Sequence, residues 1–314
     1  MQVLIALWLA AIATLPLMPQ APIEVPKTPG AFDYMLVDTQ LKRLLIAHTG
    51  SHAFAIADIS SGAMLGQLDV GGPPHGIAID VRDDAYLVGT SGQPQVVVVD
   101  RHTLRILKSI RMPGPVDAVA LDTRRDVLYA DADNGASIWL LSNGRIIHTL
   151  ATPQDSDKSA YDELSDRVYQ NFTTANAMYV IDPAKVRFVA SWSTLPAQKP
   201  HGLALDDARH RVYVAGTNGV LVALDLRTGV RLGSAPIARN VDQIAFDPER
   251  ARIYCASGDG FVSVVSAGPA GVAHVADVPV PAGAHTLALD PSSGALWISY
   301  GTPKDDYIMK LVPF

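Results

Sequence analysis

Seven residues able to ligate a metal, share protons or pair as ions recur along this chain at one register: Asp33, His75, Asp117, Asp157, His201, Asp242 and His285. Every one is an Asp or a His. Carboxylate oxygen and imidazole nitrogen together suit a divalent transition ion such as Zn, Mn or Fe, whereas an all-oxygen set suits Ca or Mg. Three or four such ligands leave positions open for water or substrate, and the metal lowers the pKa of its bound water to make a nucleophile. His75, His201 and His285 lead that ligand set, flanked by Asp33 and Asp242 and completed by Asp117 and Asp157. Without a metal, the same groups would share protons or pair with one another, raising carboxyl pKa values and giving acid–base capacity. A third reading is structural: side chains hydrogen-bonded to each other and to water, with no further role. The sequence leaves all three open.

What positions these residues is a repeat. Each lies five residues before an Asp that closes an apolar run: Asp38, Asp80, Asp122, Asp162, Asp206, Asp247 and Asp290, at spacings of 42, 42, 40, 44, 41 and 43. A period of about 40–45 residues built only of strands marks a β-propeller with one four-stranded blade per repeat. Repeat two predicts strands at His75–Asp80, Ala85–Gly89, Gln95–Asp100 and Arg105–Ile110, joined by turn-forming residues such as Thr90-Ser91-Gly92. The expected fold is therefore all-β: a seven-bladed propeller spanning residues 22–314. The seventh repeat supplies only three strands, ending with Asp306–Val312. Pro22-Ile23-Glu24-Val25 is expected to close that blade as its outermost strand, leaving only short, protected edges. Such a closed ring is expected as a monomer.

In a propeller the first strand of each blade lines the central channel, so the seven residues should form one ring at its mouth. Loops between second and third strands share that rim and contribute candidate ligand contacts: His48, Asp131, Asn171, Asn218 and Tyr300, with Asp133 and Asn134 beside Asp131. The repeat-closing Asp needs no such role, because an Asp at a tight turn bonds the backbone N–H groups that follow it. Tyr86, Tyr129, Tyr169, Tyr213, Tyr254 and Trp297 recur in the second strands and are expected to fill the wedge between blades. The single cysteine, Cys255, excludes an intrachain disulfide and is expected as a buried small hydrophobe.

The formal net charge is −6. With no run of Lys and Arg, that argues against a nucleic-acid partner. The chain lacks a Gly-rich phosphate loop, a G-x-S-x-G elbow, an H-E-x-x-H helix and a C-x-x-C-H haem site. Val3 to Leu17 is nearly all apolar and too short for an ordinary spanning helix, so residues 1–21 read as a signal peptide with cleavage near Ala21. A retained N-terminal anchor is the alternative. The mature chain is expected to be secreted or periplasmic, with no membrane span.

The repeats resemble the YVTN-type β-propeller family across nearly the whole mature chain. The carriers are Pro74-His75-Gly76-Ile77-Ala78-Ile79-Asp80 and Pro200-His201-Gly202-Leu203-Ala204-Leu205-Asp206, with Tyr213-Val214-Ala215-Gly216-Thr217-Asn218, Leu128-Tyr129-Ala130-Asp131 and Val96-Val97-Val98-Val99-Asp100. The fourth repeat departs most. Asp155-Ser156-Asp157-Lys158-Ser159-Ala160-Tyr161 has lost the Gly after the ring residue, which is expected to open one side of the channel. The resemblance implies an architecture and a choice of roles, since some members are enzymes and many look like binding modules. Two functions follow as expectations: a metal-dependent hydrolase or lyase acting on a small ligand, or a non-catalytic module binding a protein partner or small ligand on its rim.

Overall fold

The computed structural model describes residues 15–26, 30–132, 137–152 and 155–314. Seven antiparallel sheets follow one another along the chain, six of them with strands in sequence order from the channel outward. In blade two these are Pro74–Asp80, Ala85–Thr90, Gln95–Asp100 and Ile106–Arg111, within a residue of the bounds read from the turns. The inner three strands of a blade are apolar because they are covered on both faces by neighbouring blades. Tyr86 and Val97 are fully buried, while Leu107 on the outer strand is exposed. The second-strand aromatics fill the wedges as expected, all wholly or nearly wholly buried.

The seven repeat-closing Asp residues act as turn formers. Asp80 Oδ1 accepts from the Arg82 and Asp83 N–H groups, and Asp122 Oδ1 from those of Arg124 and Arg125, each at 3.0–3.1 Å. Asp38, Asp162, Asp206, Asp247 and Asp290 make equivalent bonds.

Blade seven closes the ring. Its first three strands are Thr286–Leu289, Leu296–Gly301 and Asp306–Pro313, and the fourth place is taken from the other end of the chain. Ile23–Val25 pairs antiparallel with the last strand, Ile23 opposite Ile308 and Val25 opposite Asp306. A second piece, Leu17–Pro19, continues the same edge, with Leu17 opposite Pro313. Leu17 is fully buried against Leu296 and Leu311 in the core of blade seven, inside the segment read as a signal. Residues 1–14, which hold most of that segment, lie outside the described residues. No described helix is long and apolar enough to cross a membrane.

Candidate functional site at the channel mouth

A β-bulge presents five of the seven ring residues. In blade two, Pro74 pairs with Thr90 and Ile77 with Val88, so His75 and Gly76 together oppose Gly89 alone. The same interruption falls at Asp117-Ala118, Asp157-Lys158, His201-Gly202 and Asp242-Gln243. An extra residue in one strand kinks it and re-aims side chains, so both residues of each pair leave the flat ladder. Where the second is Gly, it is because the next blade is close: a Cβ on Gly76 would lie 2.5 Å from the Asp117 carbonyl oxygen. In blades one and seven the ring residue stands just before the first strand, which starts at Met35 and Thr286.

The bulges bring the ring together as alternating Asp–His contacts. His75 Nδ1 is 2.6 Å from Asp33 Oδ2 and 3.5 Å from Asp117 Oδ1, while its Nε2 is 2.8 Å from the Ser91 hydroxyl. His201 Nδ1 is 2.5 Å from Asp157 Oδ2 and 3.7 Å from Asp242 Oδ1. His285 Nε2 sits 3.8 Å from Asp242 Oδ2 and 3.1 Å from the Phe32 carbonyl oxygen, with Nδ1 on the Gly283 carbonyl at 2.7 Å. His75 and His201 thus each stand between the ring residues of their two neighbouring blades, while His285 reaches Asp242 on one side and the Phe32 backbone on the other. All except His285 line, with Tyr34, Asp155, Ser156, Thr173, Thr174 and Lys199, a cavity of about 430 Å³.

Two residues that sequence reasoning passed over complete this site, and both directly follow a ring residue. Tyr34 is 4% exposed and its hydroxyl has no hydrogen-bond partner among the described residues. Burial, reinforced by Asp157, Asp242, Asp117 and Asp33, holds its pKa well above the usual phenol value, so it stays protonated. Lys158 stands where blades two, three and five carry Gly or Ala, and its Nζ lies 3.6 Å from the centre of the Tyr34 ring. The loss of Gly in blade four therefore places a cation in the channel, where a widened side was expected. Burial lowers the Lys158 pKa to about 8, against the pull of Asp33, Asp157, Asp242 and Asp117. A residue longer than Ala directly after a ring residue was the available signal for both.

Two ring residues, His201 and Asp242, have shifted pKa values. Burial alone would lower the pKa of His201, but its bond to Asp157 and the nearby charges of Asp242 and Asp33 raise it to about 9. Asp242 is raised to about 7, first by burial and then by the charges of Asp33 and Asp157. The carboxylates thus have the His201 imidazolium and the Lys158 ammonium as neighbours built into the protein. Within the ring, the set able to hold a metal is Asp33, His75 and Asp117, whose donor atoms lie within 4.8 Å of one another.

The rim candidates separate from the ring. His48 is fully buried, with Nε2 2.5 Å from Asp306 Oδ2 and its ring stacked on Phe32, so it joins blade one to blade seven. Asp131 is 1% exposed and accepts from the Ala118 N–H and from Gln170 Nε2; burial pushes its pKa well up. Asn171 is fully buried, its Nδ2 donating to the His201 carbonyl at 2.9 Å, so it braces a ring residue from behind. Asn218 caps the Gln198 N–H, and Tyr300 is buried and stacked on Tyr307. None of these five lines the cavity. Asp133 and Asn134 lie outside the described residues. Cys255 is buried, and burial pushes its thiol pKa far above the ordinary range.

No protein-family profile matches this chain, and no curated protein matches it. Among solved structures, a chain in the crystal structure of a mitotic checkpoint complex superposes with a TM-score of 0.79, covering 94% of this chain and 92% of its own length at 14% identity. At that identity the likeness supports the propeller fold and nothing finer.

Proposed function

We propose that this protein is an exported, YVTN-type binding module whose channel mouth takes up a small polyhydroxylated molecule. The Tyr34 hydroxyl carries the reading: it is a buried donor with no partner among the described residues, on the wall of a cavity lined by carboxylates. A buried donor left unpaired costs about 1–3 kcal/mol, and a ligand oxygen placed there would remove that cost. Around it, Asp33, Asp117, Asp155, Asp157 and Asp242 offer acceptors, and Lys199 and the Thr173 and Thr174 hydroxyls offer donors. A hydroxyl group both donates and accepts, so a polyol or sugar-like ligand meets both demands. The mutual pairing of the ring favours binding over catalysis, since its imidazoles already have carboxylate or carbonyl partners.

A second reading rests on one observation, the convergence of Asp33, His75 and Asp117. A divalent transition metal held there would present water to the same cavity and supply Lewis-acid chemistry for a hydrolase or lyase. That reading requires His75 to give up a contact to Asp33 or Ser91.

Thermal-shift screening of polyols, sugars and sugar lactones against the metal-stripped protein, beside Tyr34→Phe, tests the first reading. Ligands that bind the parent and lose tenfold or more in affinity with Tyr34→Phe support it; equal affinity for both, or no ligand at all, would sink it. Metal analysis of untagged protein, beside a His75→Ala/His201→Ala/His285→Ala variant, tests the second. A stoichiometric transition metal lost in the variant would establish a metal centre.

A further inference from the structure

Among the described residues, His75 is the one ring imidazole with a hydroxyl at its second nitrogen. Its Nε2 lies 2.8 Å from Ser91 Oγ and its Nδ1 lies 2.6 Å from Asp33 Oδ2. A carboxylate only accepts, so Nδ1 carries the imidazole proton. Nε2 is then the acceptor, and the Ser91 hydroxyl donates to it. A hydroxyl held on a base that a carboxylate orients is the arrangement that activates a serine nucleophile. It is recognised by geometry and roles, not by sequence position, so the missing G-x-S-x-G elbow does not count against it.

The contact is particular to blade two. Sixteen residues separate His75 from Ser91. The same interval leads from His201 to Thr217 and from His285 to Gly301. Thr217 makes no hydrogen bond to His201 among the described residues, and Gly301 has no side chain to offer. His285 faces the carbonyl oxygens of Gly283 and Phe32 instead. The repeat alone therefore does not produce the serine–imidazole pair.

Ser91 is also held in place. It opens the loop between the second and third strands of blade two, where its N–H donates to the Pro73 carbonyl at 2.9 Å. Thr90 Oγ1 donates to the Gln93 carbonyl at 2.8 Å and pins the same loop. Ser91 is partly exposed, so a substrate can reach its Oγ from the rim. His75 and Asp33 line the mouth cavity beside Tyr34, whose hydroxyl offers a donor to an acyl oxygen that enters there.

We propose that the protein is a serine esterase, with Ser91 the nucleophile, His75 the general base and Asp33 the positioning residue. The substrate class is a carboxylic ester of a small alcohol. Ser91 Oγ attacks the ester carbonyl carbon while its proton passes to His75 Nε2. The bond to the alkoxy oxygen breaks, and the alcohol leaves with that proton. Water then attacks the acyl-Ser91, giving a proton to Nε2, and the carboxylic acid departs as the proton returns to Ser91 Oγ. Asp33 keeps the Nδ1–H directed and stabilises the imidazolium formed in each half. Ester and water thus give acid and alcohol. The activity goes beyond the binding reading and does not depend on it, since Ser91 itself lies outside the wall of the mouth cavity.

A fluorophosphonate, which phosphonylates activated serines, tests this on the full chain in the presence of chelator, with peptide mass mapping to locate the label. Ser91 should react about 100-fold or more faster than any other serine, and p-nitrophenyl acetate should be hydrolysed until Ser91 is labelled. Ser91→Ala should lose both reactions. His75→Gln should slow labelling by about 100-fold or more. Asp33→Asn should lower the maximal labelling rate while the half-saturating label concentration stays at the parent value, a split that simple loosening of the rim would not give. Circular dichroism confirms that each variant is folded. No label on Ser91 in the parent, label spread evenly over exposed serines, hydrolysis unchanged in Ser91→Ala, or activity that appears only with added divalent metal would overturn the assignment.

Discussion

His201 Nδ1 lies 2.5 Å from Asp157 Oδ2, linking the first strands of blades five and four at the channel mouth. That contact, with the charges of Asp242 and Asp33, raises His201 to about 9. A base whose folded pKa exceeds its unfolded value of about 6.5 stabilises the fold fully below that unfolded value. The contribution is lost as pH rises through 9. The stability difference between the parent and His201→Gln should therefore be largest at pH 6 and shrink steadily toward pH 10. Urea unfolding of both proteins across that range measures it. A difference that is constant with pH would show that His201 is not charged in the fold.

Tyr34 offers the opposite kind of test, because its hydroxyl has no hydrogen-bond partner among the described residues. Tyr34→Phe removes a desolvated donor without breaking a hydrogen bond. The variant should be as stable as the parent or more so, by about 1 kcal/mol, the gain expected from deleting an unpaired buried polar group. Most core substitutions destabilise, so a gain would be diagnostic. A loss above about 1 kcal/mol in chemical denaturation would mean the hydroxyl has a partner, such as ordered water.

The blades were legible because a strand covered on both faces must be apolar and must end in a turn. Asp80, Asp122 and Asp206 mark those ends by bonding the N–H groups that follow. The ring was legible for the same reason, since a fixed distance from the turn Asp fixes a place in the channel. Lys158 and Tyr34 were not legible as site residues. The bulge that turns Asp157 and Lys158 out of the ladder is a property of strand pairing, and Tyr34 stands just before the first strand of blade one, so a side chain longer than Ala after the ring residue was the one trace of either in the sequence. The rim candidates show the same gap: His48 and Asn171 end second strands beside the ring, yet they turn into the blade seams to meet Asp306 and the His201 backbone.

Lys158 makes the channel charges interdependent. All four ring carboxylates act on its ammonium, so replacing it with Met leaves them facing one another without that cation. Removing one partner of a buried charge cluster costs about 3 kcal/mol, and Lys158→Met should lose stability of that order at pH 7. The same change should raise Asp242 further above its value of about 7, because a nearby positive charge has gone. Carboxyl NMR titration of both proteins separates this electrostatic role from simple packing, which would lower stability and leave Asp242 where it is.

Leu17 sets a limit on where the chain can be shortened. It is fully buried in blade seven, and the edge it begins is held by the Gln20 N–H bond to the Lys310 carbonyl at 2.8 Å and the Phe314 N–H bond to Pro16. Removing the chain through Ala21 deletes that strand piece and exposes Leu296 and Leu311, which pack in the same cluster. Burying one leucine contributes about 2–3 kcal/mol, and the truncated protein should lose at least that much while keeping the propeller fold, because Ile23–Val25 still closes the blade. If export removes a leader, cleavage upstream of Leu17 preserves the full edge and cleavage near Ala21 destroys half of it. Amino-terminal sequencing of protein recovered from its exporting host, beside melts of the two truncations, decides between them. A mature chain that starts at residue 22 and is as stable as one starting at 15 would show that the outer strand piece contributes nothing to closure.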